Sequence, residues 1–253
     1  MLILGIDTTT KTASTAVMGF DGDKILCDMQ SSGRLSHSEN LMPMIDYTLK
    51  CAGVLLNDID LFAVARGPGS FTGIRIGIAT VKGLTFGSES GVNNCAGISS
   101  LYSLAYNFYE NSPERRIGGD APYIILPVID ARRKQVYNAV FENLKYIKND
   151  RIITVSELES ELNSEFSGRK IIFAGDGAEM CYNEINFDGK VQIPDMLKKP
   201  SAVSLCRIAY EEYNCRERCP QRSAAVNLVH PRTLAPMYLI KTQAEREYKE
   251  KHE

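Results

Sequence analysis

An apolar strand closing on Ile-Asp occurs twice, and a chain that repeats its opening in this way is restricted to folds built from two related lobes. Ile6-Asp7 matches Ile129-Asp130 at an offset of 123 residues, and the same offset sets Lys11 on Lys134, Ala16 on Ala139 and Val17 on Val140. Each copy reads as an apolar strand, a short polar turn and a second strand. Ala13–Phe20 and a third strand near Lys24–Met29 flank the Asp21-Gly22-Asp23 turn, so the opening is a β-meander. Ser36, Ser38 and Glu39 start a helix carrying Leu41, Ile45, Leu49 and Ala52 at helical spacing, with Pro43 bending its first turns. Ile59–Arg66 is a further strand, and Gly67-Pro-Gly-Ser-Phe-Thr-Gly73 breaks into a long helix through about Phe86. Another helix is expected over 201–214, after Pro200.

Two related lobes, each with a meander and helices, predict an α/β fold of the actin/Hsp70/sugar-kinase (ribonuclease-H-like) kind. The N-terminal lobe is placed at 1–103 and the C-terminal lobe at 104–253, with helix 201–214 able to pack back onto the first. Segment 104–122, with Asn111-Ser112-Pro113 and Gly118-Gly119, reads as the connection, and Glu245–Glu253 as a solvated end.

Charge and composition remove several functions. Lys and Arg number 29 against 31 Asp and Glu, which argues against a broad basic nucleic-acid footprint. The three histidines, His37, His230 and His252, include no pair within helical reach, which excludes zinc hydrolases of the H-x-x-x-H type. Seven scattered cysteines read as reduced thiols of a cytoplasmic protein, and Cys215-x-x-x-Cys219 lacks the second pair of a zinc site. No apolar run approaches the roughly 20 residues that cross a bilayer, and Leu2-Ile3-Leu4 follows Met1 without a secretory n-region.

The glycine-rich stretch 67–83 is not a Walker A loop, because Gly73 is followed by Ile74-Arg75, and not a nucleophile elbow around Ser70. Its interior glycines imply close approach of another backbone. Two readings fit. Gly73, Ile74, Gly77, Ile78 and Val81 pack on this protein's own sheet, or with Leu41, Met44 and Ile45 they offer a face to a second chain or a second copy. Asp7, Thr8, Thr9 and Lys11, with Asp130, are candidates for a vestigial nucleotide or phosphate site. Gly175-Asp176-Gly177 is a further turn of the kind found near nucleotides, and Arg132-Arg133-Lys134 is a basic cluster able to meet phosphate or RNA. No general-base histidine, metal-ligand pair or activated nucleophile stands in a motif, which leaves a nucleotide-handling architecture without an evident reaction centre.

Ile6-Asp7-Thr8-Thr9, His37-Ser38-Glu39 with Pro43, the stretch Gly67 to Ala79, Pro127-Val-Ile-Asp-Ala-Arg-Arg133 and Pro236-Met-Tyr-Leu239 together resemble the bacterial TsaB (YeaZ) family. The chain departs from that family at Ile240-Lys241, where Arg is usual, and at the cysteines of 215–219. The resemblance implies an actin-like fold and a non-catalytic role in making N6-threonylcarbamoyladenosine (t6A) on tRNA. It implies pairing with the catalytic subunit TsaD through the two helices above, work with the P-loop ATPase TsaE, contact with tRNA through the complex, and a homodimer when alone. It implies no cofactor for this chain, with ATP or ADP and Mg²⁺ entering only at the level of the complex. TsaD carries an H-x-x-x-H metal site, whereas here His37 is followed four residues on by Leu41. Against this scaffold reading stand a stand-alone ATP-dependent small-molecule kinase, for which Asp130 is the only acceptor-side carboxylate, and a metal-dependent transferase or peptidase.

Overall fold

The computed structural model describes residues 1–21, 23–32, 36–86, 95–111, 123–215 and 225–239. Its first half runs β1 (Leu2–Asp7), β2 (Ala13–Gly19), β3 (Lys24–Ser31), α1 (His37–Ala52), β4 (Leu61–Gly67), α2 (Phe71–Phe86), β5 (Cys95–Ser99) and α3 (Ser100–Asn111). The second half repeats the order with β6 (Tyr123–Asp130), β7 (Gln135–Glu142), β8 (Lys145–Thr154), α4 (Val155–Glu165), β9 (Lys170–Ala174), α5 (Ala178–Glu184) and β10 (Lys190–Val191). It closes with the short α6 (Asp195–Lys198), α7 (Ala202–Cys215) and β11 (Val226–Val229).

The sheets are ordered β11-β5-β4-β1-β2-β3 and β10-β9-β6-β7-β8, so the same five-strand pattern occurs in each lobe. In both, the first strand runs antiparallel to the second and parallel to the fourth. Both copies also start their first helix with the same capping box. Glu39 accepts the Ser36 N–H and hydroxyl at 2.9 and 2.6 Å, and Glu157 does the same for Thr154 at 3.0 and 2.7 Å.

Burial explains the layering. α1 and α2 cover one face of the first sheet, with Leu4, Ile6, Phe62 and Val64 against Leu41, Ile45, Ile74 and Val81. α4 and α5 cover the outer face of the second sheet in the same way. A single cluster then runs from the inner face of one sheet through α7 and α3 to the inner face of the other. Apolar surface on both sheets is thus removed from water by one central helical layer.

Three sequence expectations change here. Residues 104–111 are not connection but the second half of α3, so the boundary at 103/104 falls inside a helix. Leu101, Leu104, Ala105 and Phe108 do fall at helical spacing, but Leu101 to Tyr109 are buried all round, polar Ser103 and Asn107 included. The rest of the connection, 112–122, lies outside the described residues, as do Cys219, Ile240-Lys241 and the tail. Helix α7 lies on the first sheet, as the sequence allowed, with its Ala202 N–H donating to Ser14 Oγ at 3.0 Å; the change is that β11 also joins that sheet by pairing with β5. The C-terminal stretch therefore returns to the N-terminal lobe.

The third change concerns register. Ile3 faces the central layer together with Ile125 and Ile129, whereas Leu4 and Ile6 face outward, as Ile124, Leu126 and Val128 do. Side chains alternate between faces with period two, so Ile6 corresponds to Val128 and Asp7 to Ile129. Gly5 pairs with Ala16, and Ile129 with Tyr137, which preserves Ala16 on Ala139 and Val17 on Val140. The second hairpin carries one extra residue, and Asp130 is not the counterpart of Asp7.

Glycine 83 sits on the exposed side of α2, and a Cβ there meets nothing within 4 Å. Gly83→Ala is expected to stabilise the isolated chain by about 0.5–1 kcal/mol, read as a higher midpoint in urea denaturation.

Candidate functional site

A cleft of about 580 Å³ opens between the lobes, lined by Thr9, Thr10, Lys11 and His37, by residues 68–72, and by Asp130, Arg132, Tyr137, Asp176 and Tyr238. Its floor is made where the turn after β1 meets the glycine-rich turn before α2. The Thr8 hydroxyl donates to the Gly73 carbonyl at 2.7 Å, and the Ser70 N–H donates to the Thr9 carbonyl at 2.7 Å. A Cβ at Gly73 would stand 1.9 Å from the Thr8 carbonyl oxygen, and one at Gly77 2.7 Å from Thr8 Oγ1. Gly73 and Gly77 therefore serve a contact within this chain.

Asp7 lies behind the cleft rather than in it. Its Oδ1 accepts the Thr9 N–H at 2.8 Å and the Thr9 hydroxyl at 2.7 Å, while Oδ2 is buried without a hydrogen-bond partner. Burial pushes its carboxyl up to about 6, against the opposing pull of Thr9 and of His37. His37 bonds through Nε2 to the Thr10 carbonyl at 2.7 Å. Of the candidate phosphate residues, Thr9, Lys11 and Asp130 line the cleft, but the Thr8 and Thr9 hydroxyl protons are committed elsewhere and Asp7 is walled off. A phosphate needs donors, and of these residues Lys11 brings a side-chain donor to the cleft while the Asp7-Thr8-Thr9 side chains bring none.

The opposite wall carries an unusual backbone. Arg132, Arg133 and Lys134 stand at φ 67, 51 and 58°, three successive L-residues in the left-handed region. Each costs about 1–2 kcal/mol in that conformation. Asp130 Oδ1 accepts the Arg132 N–H at 2.7 Å, Asp176 Oδ1 accepts the Asp130 N–H at 3.1 Å, and the Lys134 carbonyl accepts from Val155 at 3.0 Å. Asp130 thus holds a turn. Burial raises the Asp176 carboxyl, while the Asp130 N–H and Lys11 pull it down.

At the cleft mouth, residues that the sequence did not single out form a stack. The Arg75 guanidinium lies 3.8 Å above the Phe71 ring, and its Nε donates to Tyr238 Oη at 2.8 Å. The Phe71 and Tyr238 ring centres are 5.0 Å apart, and both rings stay about 40% exposed. Met237 N–H bonds to the Arg66 carbonyl at 2.7 Å, which brings the irregular segment 236–239 alongside the end of β4. Their signal in sequence was an aromatic at each end of a long separation, which carries no spacing to read.

The second-chain face drawn from the sequence is corrected. Leu41, Met44, Ile45, Gly73, Ile74, Gly77, Ile78 and Val81 are all buried within this chain, with Leu41, Ile45, Ile74, Ile78 and Val81 against its own sheet and Gly73 against the Thr8 turn. They form the core beneath α1 and α2 because the apolar stripe of an amphipathic helix turns inward when a sheet is available. The solvent side of the same two helices exposes Met42 and Tyr47 on α1, and Arg75, Ala79, Gly83 and Phe86 on α2.

Duplicated sheets joined by a central helical layer around a cleft define an actin-like fold of the Hsp70 and sugar-kinase kind. A family described as "TsaD: tRNA N6-adenosine threonylcarbamoyltransferase" matches residues 31–248. The chain belongs to this family, on its TsaB/YeaZ branch. It is 35% identical over 142 residues to the tRNA threonylcarbamoyladenosine biosynthesis protein TsaB of Escherichia coli (strain K12), covering 56% of this chain and 55% of that one. The Haemophilus influenzae TsaB is 30% identical over 137 residues, covering 54% and 52%. The chain spans about half the length of these curated relatives. Among solved structures, YeaZ from Pseudomonas aeruginosa matches with a TM-score of 0.69 at 24% identity, over 94% of this chain and 99% of that chain. A second Pseudomonas aeruginosa structure, described as similar to peptidase YEAZ, gives 0.73 at 22% identity over the same shares. At these identities the structural likeness speaks for the fold.

Proposed function

We propose that this chain is a non-catalytic subunit of the tRNA t6A-forming machinery, which pairs with a TsaD-like catalytic subunit and holds it in its working form. The observation that carries this reading is the packing of α1. His37 is tied to the Thr10 carbonyl, and Leu41, one turn on, is only 1% exposed in the core. The position where an H-x-x-x-H helix would present its second imidazole is filled by an aliphatic side chain facing its own sheet. Two adjacent helices meanwhile leave a mixed face of Met42, Tyr47, Ala79, Gly83 and Phe86 in water. Small residues let a second backbone approach, and the flanking aromatics and methionine supply apolar area. A TsaE-like P-loop ATPase and tRNA enter through that assembly, with ATP or ADP and Mg²⁺ at the complex and none required by this chain. The same face would close a homodimer in the partner's absence. The kinase alternative rests on Asp130, which is occupied in holding the Arg132 turn.

Light scattering after size exclusion tests the pairing, with this chain alone and mixed with the TsaD-like protein of the same organism. A mixed complex is expected from the parent chain. Ala79→Arg, which changes an exposed position, is expected to keep the melting temperature and weaken pairing by at least about 30-fold. Equal pairing by the folded variant overturns the helix-face assignment, and a parent chain that ignores the TsaD-like protein overturns the function.

A further inference from the structure

We infer that the cleft mouth is a contact site for single-stranded RNA, with phosphates on the Arg132-Arg133 turn and a base stacked on Phe71 or Tyr238. The inference rests on the tRNA-linked role proposed above and names a site for this chain within it. Three observations meet at one place. The turn holds consecutive cationic L-residues in the left-handed region, at φ 67, 51 and 58°, where glycine or asparagine would sit without strain. A fold that keeps Arg-Arg-Lys there forgoes stability for what those side chains do.

The turn is also pinned rather than loose. Asp130 and Asp176 brace it from below at 2.7 and 3.1 Å, and these two carboxylates are the acidic groups lining the cleft. Lys134 is engaged with Glu184 at 3.2 Å. Arg132 lines the cleft together with Lys11 from the other lobe, Arg133 stands exposed next to it on the turn, and among the described residues neither arginine enters an ion pair. Lys11 and Arg132 balance Asp130 and Asp176 in the cleft, and Arg75 and Arg133 at its edge add a positive excess although the whole chain is near −2. Across the cleft, Phe71 and Tyr238 keep open ring surface beside the Arg75 guanidinium, an arrangement that accepts a base of any identity. An acidic peptide would satisfy the arginines but leave the rings unused, so the combination favours RNA.

The test uses the full chain, alone and in its mixed complex, with a fluorescently labelled single-stranded oligoadenylate and an unmodified tRNA transcript as probes. The double variant Arg132→Glu, Arg133→Glu is expected to weaken both by at least about tenfold and to lower the salt slope by about 0.7 for each phosphate it no longer holds. Tyr238→Ala is expected to weaken binding with an unchanged slope, and Tyr238→Phe to bind as the parent does. Arg133→Gly gives a fold-independent check, because it is expected to raise the melting temperature by about 2–4 °C while reducing affinity. Unchanged RNA affinity in the folded double variant overturns the site, as does equally effective competition by polyglutamate. Pairing measured on the same samples separates this outcome from failure of the subunit reading, since Arg132 and Arg133 sit between β6 and β7, in the other lobe from α1 and α2.

Discussion

Gly73→Ala is expected to destabilise the chain by about 3–5 kcal/mol, a large share of the 5–15 kcal/mol that holds a typical domain together. The added methyl would stand 1.9 Å from the Thr8 carbonyl oxygen and 3.1 Å from its carbon. Both are backbone atoms, so no rotamer change relieves the overlap. Separating the two turns strains the bond from the Thr8 hydroxyl to the Gly73 carbonyl and the bond from Ser70 N–H to the Thr9 carbonyl, each 2.7 Å. Thr8 itself follows directly on β1, a central strand of the first sheet, which leaves the α2 side to move. Urea denaturation measures the change, with Gly83→Ala as the matched control on the same helix. A destabilisation under about 1 kcal/mol for Gly73→Ala would show that the two turns are slack against each other.

Asp7→Asn is expected to stabilise the chain by about 1–2 kcal/mol at pH 8 and by much less at pH 4. The carboxyl moves from 3.8 to about 6 on burial, so the folded state holds its proton more tightly than the unfolded state does. Stability from this group is therefore fully present below pH 3.8, falls as pH rises through 6, and is absent above, a range worth roughly 3 kcal/mol. The amide keeps the Oδ1 that Thr9 bonds to and carries no charge to desolvate. Its NH₂ replaces an oxygen already lacking a partner, which holds the gain below the full range. Denaturation curves at pH 4 and pH 8 decide it. Parallel pH dependence in parent and variant would mean that the Asp7 charge is solvated or paired in solution.

Much of the architecture was legible in local residues. The meander, the capping box at Ser36, the helix begun by Gly73 and the doubled strand pattern all follow from periods of two and 3.6 and from turn chemistry. Helix α3 was not, because the turn signals at 111–113 and 118–119 draw the connection back over residues 104–111, where Leu104, Ala105 and Phe108 continue the helical spacing of Leu101. The repeat is visible in sequence but one residue out of register, since Ile-Asp recurs by identity while the sheet faces count by parity. Matching by identity makes Asp130 the counterpart of Asp7, whereas in the sheets Asp7 corresponds to Ile129.

The candidate site divides along the same line. Lys11, Arg132 and Asp130 were visible as charged residues in turns, and the cleft does bring them together. Phe71, Arg75 and Tyr238 stood in the stretches that carry the family resemblance, but their meeting was invisible, because the Arg75–Tyr238 contact joins positions 163 residues apart. The glycines and apolar residues of α1 and α2 showed that close packing occurs there, yet not against what.

The amino-acid order by itself determined the elements of the opening half up to α2, the duplication, the family and the missing second histidine, all of which are properties of neighbours along the chain. Only the tertiary structure decided which helix face is core and which is free, that Asp7 is sealed off while Asp130 braces a basic turn, and that two aromatic rings flank the cleft. Those outcomes depend on which surfaces lose their water when strands and helices far apart in sequence are stacked, and burial of that kind is written in no single segment.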